Sequence, residues 1–124
     1  MSIVLGIDLA TADVRVQAVD VATGRALAQR RAALPVQVDA SSGGRTQPPR
    51  HGEVALTLIA AVVGELGTRA GEVAALSVTG TSGTVVPVDA SGRPVGDAVL
   101  YDDPRGGREL RMLADAGLDA RPSA

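Results

Sequence analysis

The stretch that most restricts the fold runs from Ile3 to Asp20, IVLGIDLATADVRVQAVD. Ile3, Leu5 and Ile7 alternate with Val4, Gly6 and Asp8; Val14, Val16 and Ala18 then alternate with Arg15, Gln17 and Val19. A period of two in both halves predicts two strands, each with an apolar face. Between them Leu9-Ala10-Thr11-Ala12-Asp13 is small and partly polar, which predicts a tight turn. An acid closes the first strand, a hydroxyl residue sits in the turn, and a base opens the second. That set can hold a hydrated divalent cation and a phosphoryl group. Asp8 attracts the metal, turn N–H groups and the Thr11 hydroxyl face phosphate oxygens, and Arg15 supplies positive charge. Asp and Thr also suit an ordinary hairpin turn, so both readings stand at this point.

A chain of 124 residues fits one domain and not two. Its 45% hydrophobic content allows a core, and its net charge of −2 offers no basic surface for nucleic acid or an anionic membrane. With no cysteine there is no disulfide framework, thiolate metal site or cysteine nucleophile. The opening MSIVLGID lacks a basic n-region and reaches an acid at residue 8, so it reads as a strand and not as a signal peptide. No apolar run approaches the roughly 18 residues of a membrane span. A soluble cytoplasmic protein is expected. Every Lys/Arg position is Arg, and Lys, Phe, Trp and Asn are absent. This reads as base-composition bias, so missing aromatics carry little weight.

Residues 25–34 predict a third strand, completing a three-stranded antiparallel meander. Residues 35–50 read as a loop, with a flexible Ser41-Ser42-Gly43-Gly44 and a stop at Gln47-Pro48-Pro49, and no buried site is expected there. Residues 53–66 predict a helix, apolar over most of its surface and buried against the sheet. His51, just before it, reads as a loop residue. Residues 73–79 predict a central parallel strand beside the first, covered on both faces. It runs into Gly80-Thr81-Ser82-Gly83-Thr84, at the strand end where ligands of α/β sheets gather. A hairpin of residues 85–88 and 95–100 follows, around Asp89-Ala90-Ser91-Gly92. Tyr101-Asp102-Asp103-Pro104-Arg105 leads into a last helix stopped at Gly117, and by itself reads as a capped helix start.

Three blocks, in this order, resemble the N-terminal domain of the FGGY-family carbohydrate kinases, such as xylulokinases and glycerol kinases. They are GIDLATADVRVQAVD, the Gln47-Pro48-Pro49 lead into a long helix, and LSVTGTSGTVVPVDASGRPVGDAVLYDDPR. The last, ending in aromatic-x-Asp-x-Arg, is the most specific. The resemblance covers nearly the whole chain. It implies an α/β fold: a partial RNase-H-like domain of the actin/sugar-kinase/Hsp70 superfamily, its mixed sheet built from the meander, then helix, strand, hairpin and helix. It implies ATP and Mg²⁺ as cofactors and a sugar or polyol as substrate. It implies that Asp8 holds the magnesium ion through water, that Thr11 and the Ala12 amide face the γ-phosphate, and that Arg15 stands behind the turn. Thr81 and Ser82 would touch the sugar, and Tyr101, Asp103 and Arg105 would line its pocket.

The chain departs from the family at Ala10, where Gly is usual, and at Asp13, where Ser or Thr is usual. A methyl at position 10 would hinder phosphate approach if that residue needed φ > 0. A carboxylate at Asp13 would repel phosphate unless it pointed away. Family members run several times longer, and the general base lies in parts with no counterpart in residues 1–124. The expectation is therefore the N-terminal portion of an ATP-dependent carbohydrate kinase, truncated, without a second domain and without useful turnover alone. An unfinished sheet should expose an edge that invites self-association. The alternatives are a non-catalytic remnant or interaction module and another ATPase of the same superfamily; the Tyr101-x-Asp103-x-Arg105 ending disfavours the latter.

Overall fold

The computed structural model describes residues 2–118. Residues 118–124 show no sequence pattern, and of these 119–124 lie outside the described residues. Strands β1 (Ile3–Leu9), β2 (Asp13–Asp20) and β3 (Ala26–Ala33) form the antiparallel meander, and β6 (Val73–Gly80) runs parallel to β1, giving the order β3-β2-β1-β6. Between β3 and β6 come β4 (Gln37–Val38), β5 (Arg45–Gln47), the helix α1 (His51–Glu65) and a 3₁₀ turn. β7 (Ala98–Val99) joins β4 and β5 in a small second sheet, and a 3₁₀ turn at Pro104–Gly106 leads into α2 (Gly107–Asp115).

The period-two pattern builds the core directly. Ile3, Leu5, Ile7, Val14, Val16 and Ala18 are all buried on one face, where Ala55, Leu58 and Val62 of α1 and Leu66 just after it cover them. The opposite face carries Asp8, Arg15, Gln17, Gln29, Ser77 and Thr79. Arg30 and Arg31 point to opposite faces of the edge strand β3. Arg30 pairs with Glu65 of α1 at 2.6 Å, and Arg31 pairs with Asp13. Gly67, at φ 56°, ends α1 in the left-handed region that an L side chain resists.

Four expectations need correction. Residues 35–50 are not a bare loop: they contain β4 and β5, and Gln47 is fully buried. The glycines and serines of that segment are confined to the β4–β5 turn, where Asp39 accepts from the Ser41 hydroxyl and from the amides of Ser41 and Ser42. Helix α1 packs against the sheet through Ala55, Leu58 and Val62 but is less buried than its apolar surface implies, with Leu56 69% exposed. Strand β6 is an edge and not a central strand. Because α1 lies over β2 and β3, Leu76 and Val78 remain 59% and 54% exposed. The late hairpin shrinks to two bridges, Val85 with Val99 and Val88 with Pro94. Pro87 and Pro94 lack the N–H groups a longer ladder would use, and β7 pairs with β5 instead.

Candidate functional site

The β1–β2 turn is braced from behind. Leu34 N donates to Ala12 O at 2.8 Å, and the Gln47 carboxamide donates to Thr11 O and to Leu34 O, the latter at 3.0 Å. Among the described residues, the amides of Ala10, Thr11 and Ala12 donate to nothing. They are therefore free to face an anion. No described residue other than glycine has a positive φ, so Ala10 carries its methyl without backbone strain.

The loop after β6 meets this turn. Thr81 N donates to Leu9 O at 3.2 Å, and the Thr11 hydroxyl donates to Thr81 Oγ1 at 3.1 Å. Leu9, Ala10, Thr11, Gly80, Thr81, Thr84, Val86 and His51 line a cleft of about 220 Å³. Thr84 Oγ1 is buried there without a hydrogen-bond partner. The two sequence motifs, 70 residues apart, thus share a wall of hydroxyls and main-chain amides. His51, expected in a loop, is instead the first residue of α1 and the only titratable side chain lining this cleft among the described residues. Burial lowers its imidazole pKa. The signal is its place immediately after Pro48-Pro49-Arg50, with Arg50 as the helix N-cap.

Asp8 and Arg15 line a separate cleft of about 360 Å³ on the polar face. They are cross-strand partners, paired at 2.9 Å, and Arg15 also lies 3.0 Å from Asp13. Asp13 is buried between Arg15 and Arg31. Its charge is compensated, so it presents no bare carboxylate to a phosphate at the turn. Tyr101 is 59% exposed, and its Cβ sits against Gly83, where an added Cβ would come within 3.0 Å. Ser82 is exposed in the same loop.

Asp103 and Arg105 lie in neither cleft. The Asp103 carboxylate accepts from Arg45 N at 2.7 Å, Arg105 N at 3.0 Å and Arg105 Nη2 at 2.7 Å. The Arg105 guanidinium beside it holds its pKa far below the usual carboxylate range. Thus the structure joins Thr11 to Thr81 and Asp8 to Arg15, and binds Asp103 and Arg105 to one another.

Asp8, paired with Arg15, is the carboxylate of the β1 end that could meet a hydrated divalent cation. Among the described residues no three His, Cys, Asp or Glu side chains cluster to cage a metal, and Asp8 stands as a single carboxylate at the strand end. Magnesium is commonly held by one or two carboxylates together with water and substrate phosphates. No described helix is long and apolar enough to cross a membrane.

Residues 3–121 match the model of the FGGY family of carbohydrate kinases, N-terminal domain. A xylulose kinase of Streptomyces coelicolor is 36% identical over 113 residues, which are 91% of this chain and 22% of that protein. A xylulose kinase of Streptomyces rubiginosus is 35% identical over 118 residues, 92% of this chain and 23% of that protein. The crystal structure of a xylulose kinase from Rhodospirillum rubrum superposes with a TM-score of 0.84 at 21% identity, covering 95% of this chain and 24% of that one. At that identity the match speaks for the fold alone. The chain spans less than a quarter of the length of each.

Proposed function

Because the chain belongs to the FGGY family of carbohydrate kinases, we propose that it is the N-terminal part of an enzyme moving the γ-phosphoryl group of ATP to a sugar or polyol hydroxyl. The observation that carries this reading is the Thr11–Thr81 hydroxyl contact, which joins the anion-facing turn to a hydroxyl-rich loop in one cleft. The free amides of residues 10–12 receive the γ-phosphate, and the Thr11 hydroxyl joins them by turning its hydrogen from Thr81 to a phosphate oxygen. Thr81, Ser82 and Tyr101 face the sugar. Asp103 and Arg105 fix the segment that presents Tyr101. Asp8 would hold Mg²⁺, and Arg15, its partner across the strands, would offset phosphate charge from the neighbouring face. Bound magnesium would neutralise charge developing on the transferred group.

Phosphoryl transfer depends on positioning and charge stabilisation around both the attacking and the leaving oxygen. This chain supplies one wall, so the isolated 124 residues turn over no substrate. A coupled ADP-release assay with pentuloses and polyols tests this; brisk release by the isolated chain would refute it.

A second reading, a binding or interaction module without catalysis, is favoured by one observation. Arg15 is held by both Asp8 and Asp13, which leaves less free positive charge for phosphate. Calorimetric titration with Mg·ATP separates the two: heat that saturates and requires Asp8 supports the kinase reading. The outer edge of β6 and its exposed Leu76 and Val78 favour self-association. Size-exclusion chromatography over a concentration series tests that, and a constant monomer volume counts against it.

A further inference from the structure

We propose that Gln47 is a positioning residue, which sets the height and spacing of the anion-facing turn through strand β5. This inference rests on the kinase reading only for what the turn binds. Gln47 is fully buried, and its two amide hydrogens go to two main-chain carbonyls, Thr11 O in the turn and Leu34 O after β3. Two carbonyl partners fix the amide orientation, since only the NH₂ end can donate. The Oε1 atom finds no partner among the described residues. An apolar side chain of the same length would fill the space without that orphan acceptor. The double donor is what a carboxamide adds.

The rest of β5 is tied to the other half of the site. Arg45 N donates to Asp103, Leu100 N donates to Arg45 O, and Thr46 and Gln47 pair with Val99 and Ala98. Arg45 and Gln47 are two residues apart on one strand, about 7 Å at strand rise, so their side chains share a face. One end of this short bar holds the Tyr101–Arg105 segment and the other holds Thr11. It therefore fixes the gap between the part proposed to face phosphate and the part proposed to present the sugar. Small misplacements of that kind are costly in phosphoryl transfer.

The test uses the ¹⁵N-labelled chain with Gln47→Met, which keeps the volume and removes both donors, and Gln47→Glu, which keeps the shape and reverses the donors. Val62→Ala, in the core under α1, serves as the control for lost stability alone. The expected result is displaced amide resonances at Thr11, Ala12 and Thr81 in both Gln47 variants before any ligand is added. Affinity for Mg·ATP, read from the same resonances, falls roughly tenfold or more at temperatures where the chain is folded. Val62→Ala lowers the melting temperature and moves neither. Unshifted turn amides in a folded Gln47→Met or Gln47→Glu overturn the proposal. So does an affinity loss no larger than that of Val62→Ala. If the unaltered chain shows no response to Mg·ATP, that counts against placing the phosphate at this turn, and the ligand-free amide shifts alone decide the role of Gln47.

Discussion

The four-stranded sheet with its helix α1, and the segment after residue 80 with the small sheet it joins, are held by different forces. In the first region, four strands and α1 bury a continuous set of Ile, Leu and Val side chains. In the second, Ala98 and Leu100 are buried while Val85, Val88, Val95, Leu110 and Met112 are exposed. What shapes that region is polar and local. Asp89 gathers Ser91 and Arg93, and Asp103 gathers Arg45 and Arg105. Burial is cooperative and insensitive to pH, whereas carboxylate caps act one turn at a time and fail in acid.

The largest test of that contrast is a pair of truncations. Leu5→Ala, in the buried face of β1, should cost about 2–5 kcal/mol in urea unfolding. Met112→Ala, on exposed α2, should change stability by less than about 0.5 kcal/mol. Equal losses would mean that the second region has a core of its own. A smaller effect is expected from Gly44→Ala. The added methyl would lie 2.6 Å from Arg105 Nε, so the guanidinium must leave Asp103. About 1–2 kcal/mol of local strain follows, and amide exchange at Arg45 and Arg105 should speed while the β1 amides stay protected.

Titration sharpens the contrast further. Asp103 through Arg105, Asp39 through Ser41, and Asp89 through Ser91 all have depressed carboxyl pKa values, that of Asp39 at about 2. A depressed carboxyl stabilises the fold above its unfolded pKa of about 4, and the contribution fades as pH drops through the folded value. The second sheet should therefore loosen in acid before the first, as read by residue-specific amide exchange. The main sheet has one such carboxylate, Asp20, held low chiefly by Arg69. The smallest effect belongs to His51. Its pKa is lowered, so its contribution is complete above about pH 6.5 and declines as pH falls below that. His51→Gln should flatten the urea midpoint between about pH 5 and 7, and an unchanged slope would remove His51 from the account.

The same division governs what could be read from the chain. Alternation announced β1 and β2 because one face is buried, and Thr11 and Thr81 stood out as hydroxyls at strand ends. Strand β5 was hidden because it is three residues long and its pairing partner, β7, lies some fifty residues on. Gln47 sat in plain view within a proline motif, but its burial depends on a contact with Thr11, 36 residues away. Strand β6 misled because its apolar composition matched a covered strand, and nothing local states which side a helix will take. The Asp103–Arg105 pair belongs to a motif that implies a sugar pocket, and its contacts with Arg45 brace the loop that carries Tyr101, which no local spacing announces.

The main-chain bond from Thr81 to Leu9, reinforced by the hydroxyl pair, clasps two loops that each look adjustable alone. Gly80 sharpens the clasp: a side chain there would press on Leu9 O at 3.3 Å. Neither loop can swing without dragging its neighbour. If an opposing wall ever shuts over this cleft, the travel belongs to that wall, and these loops act as the anvil.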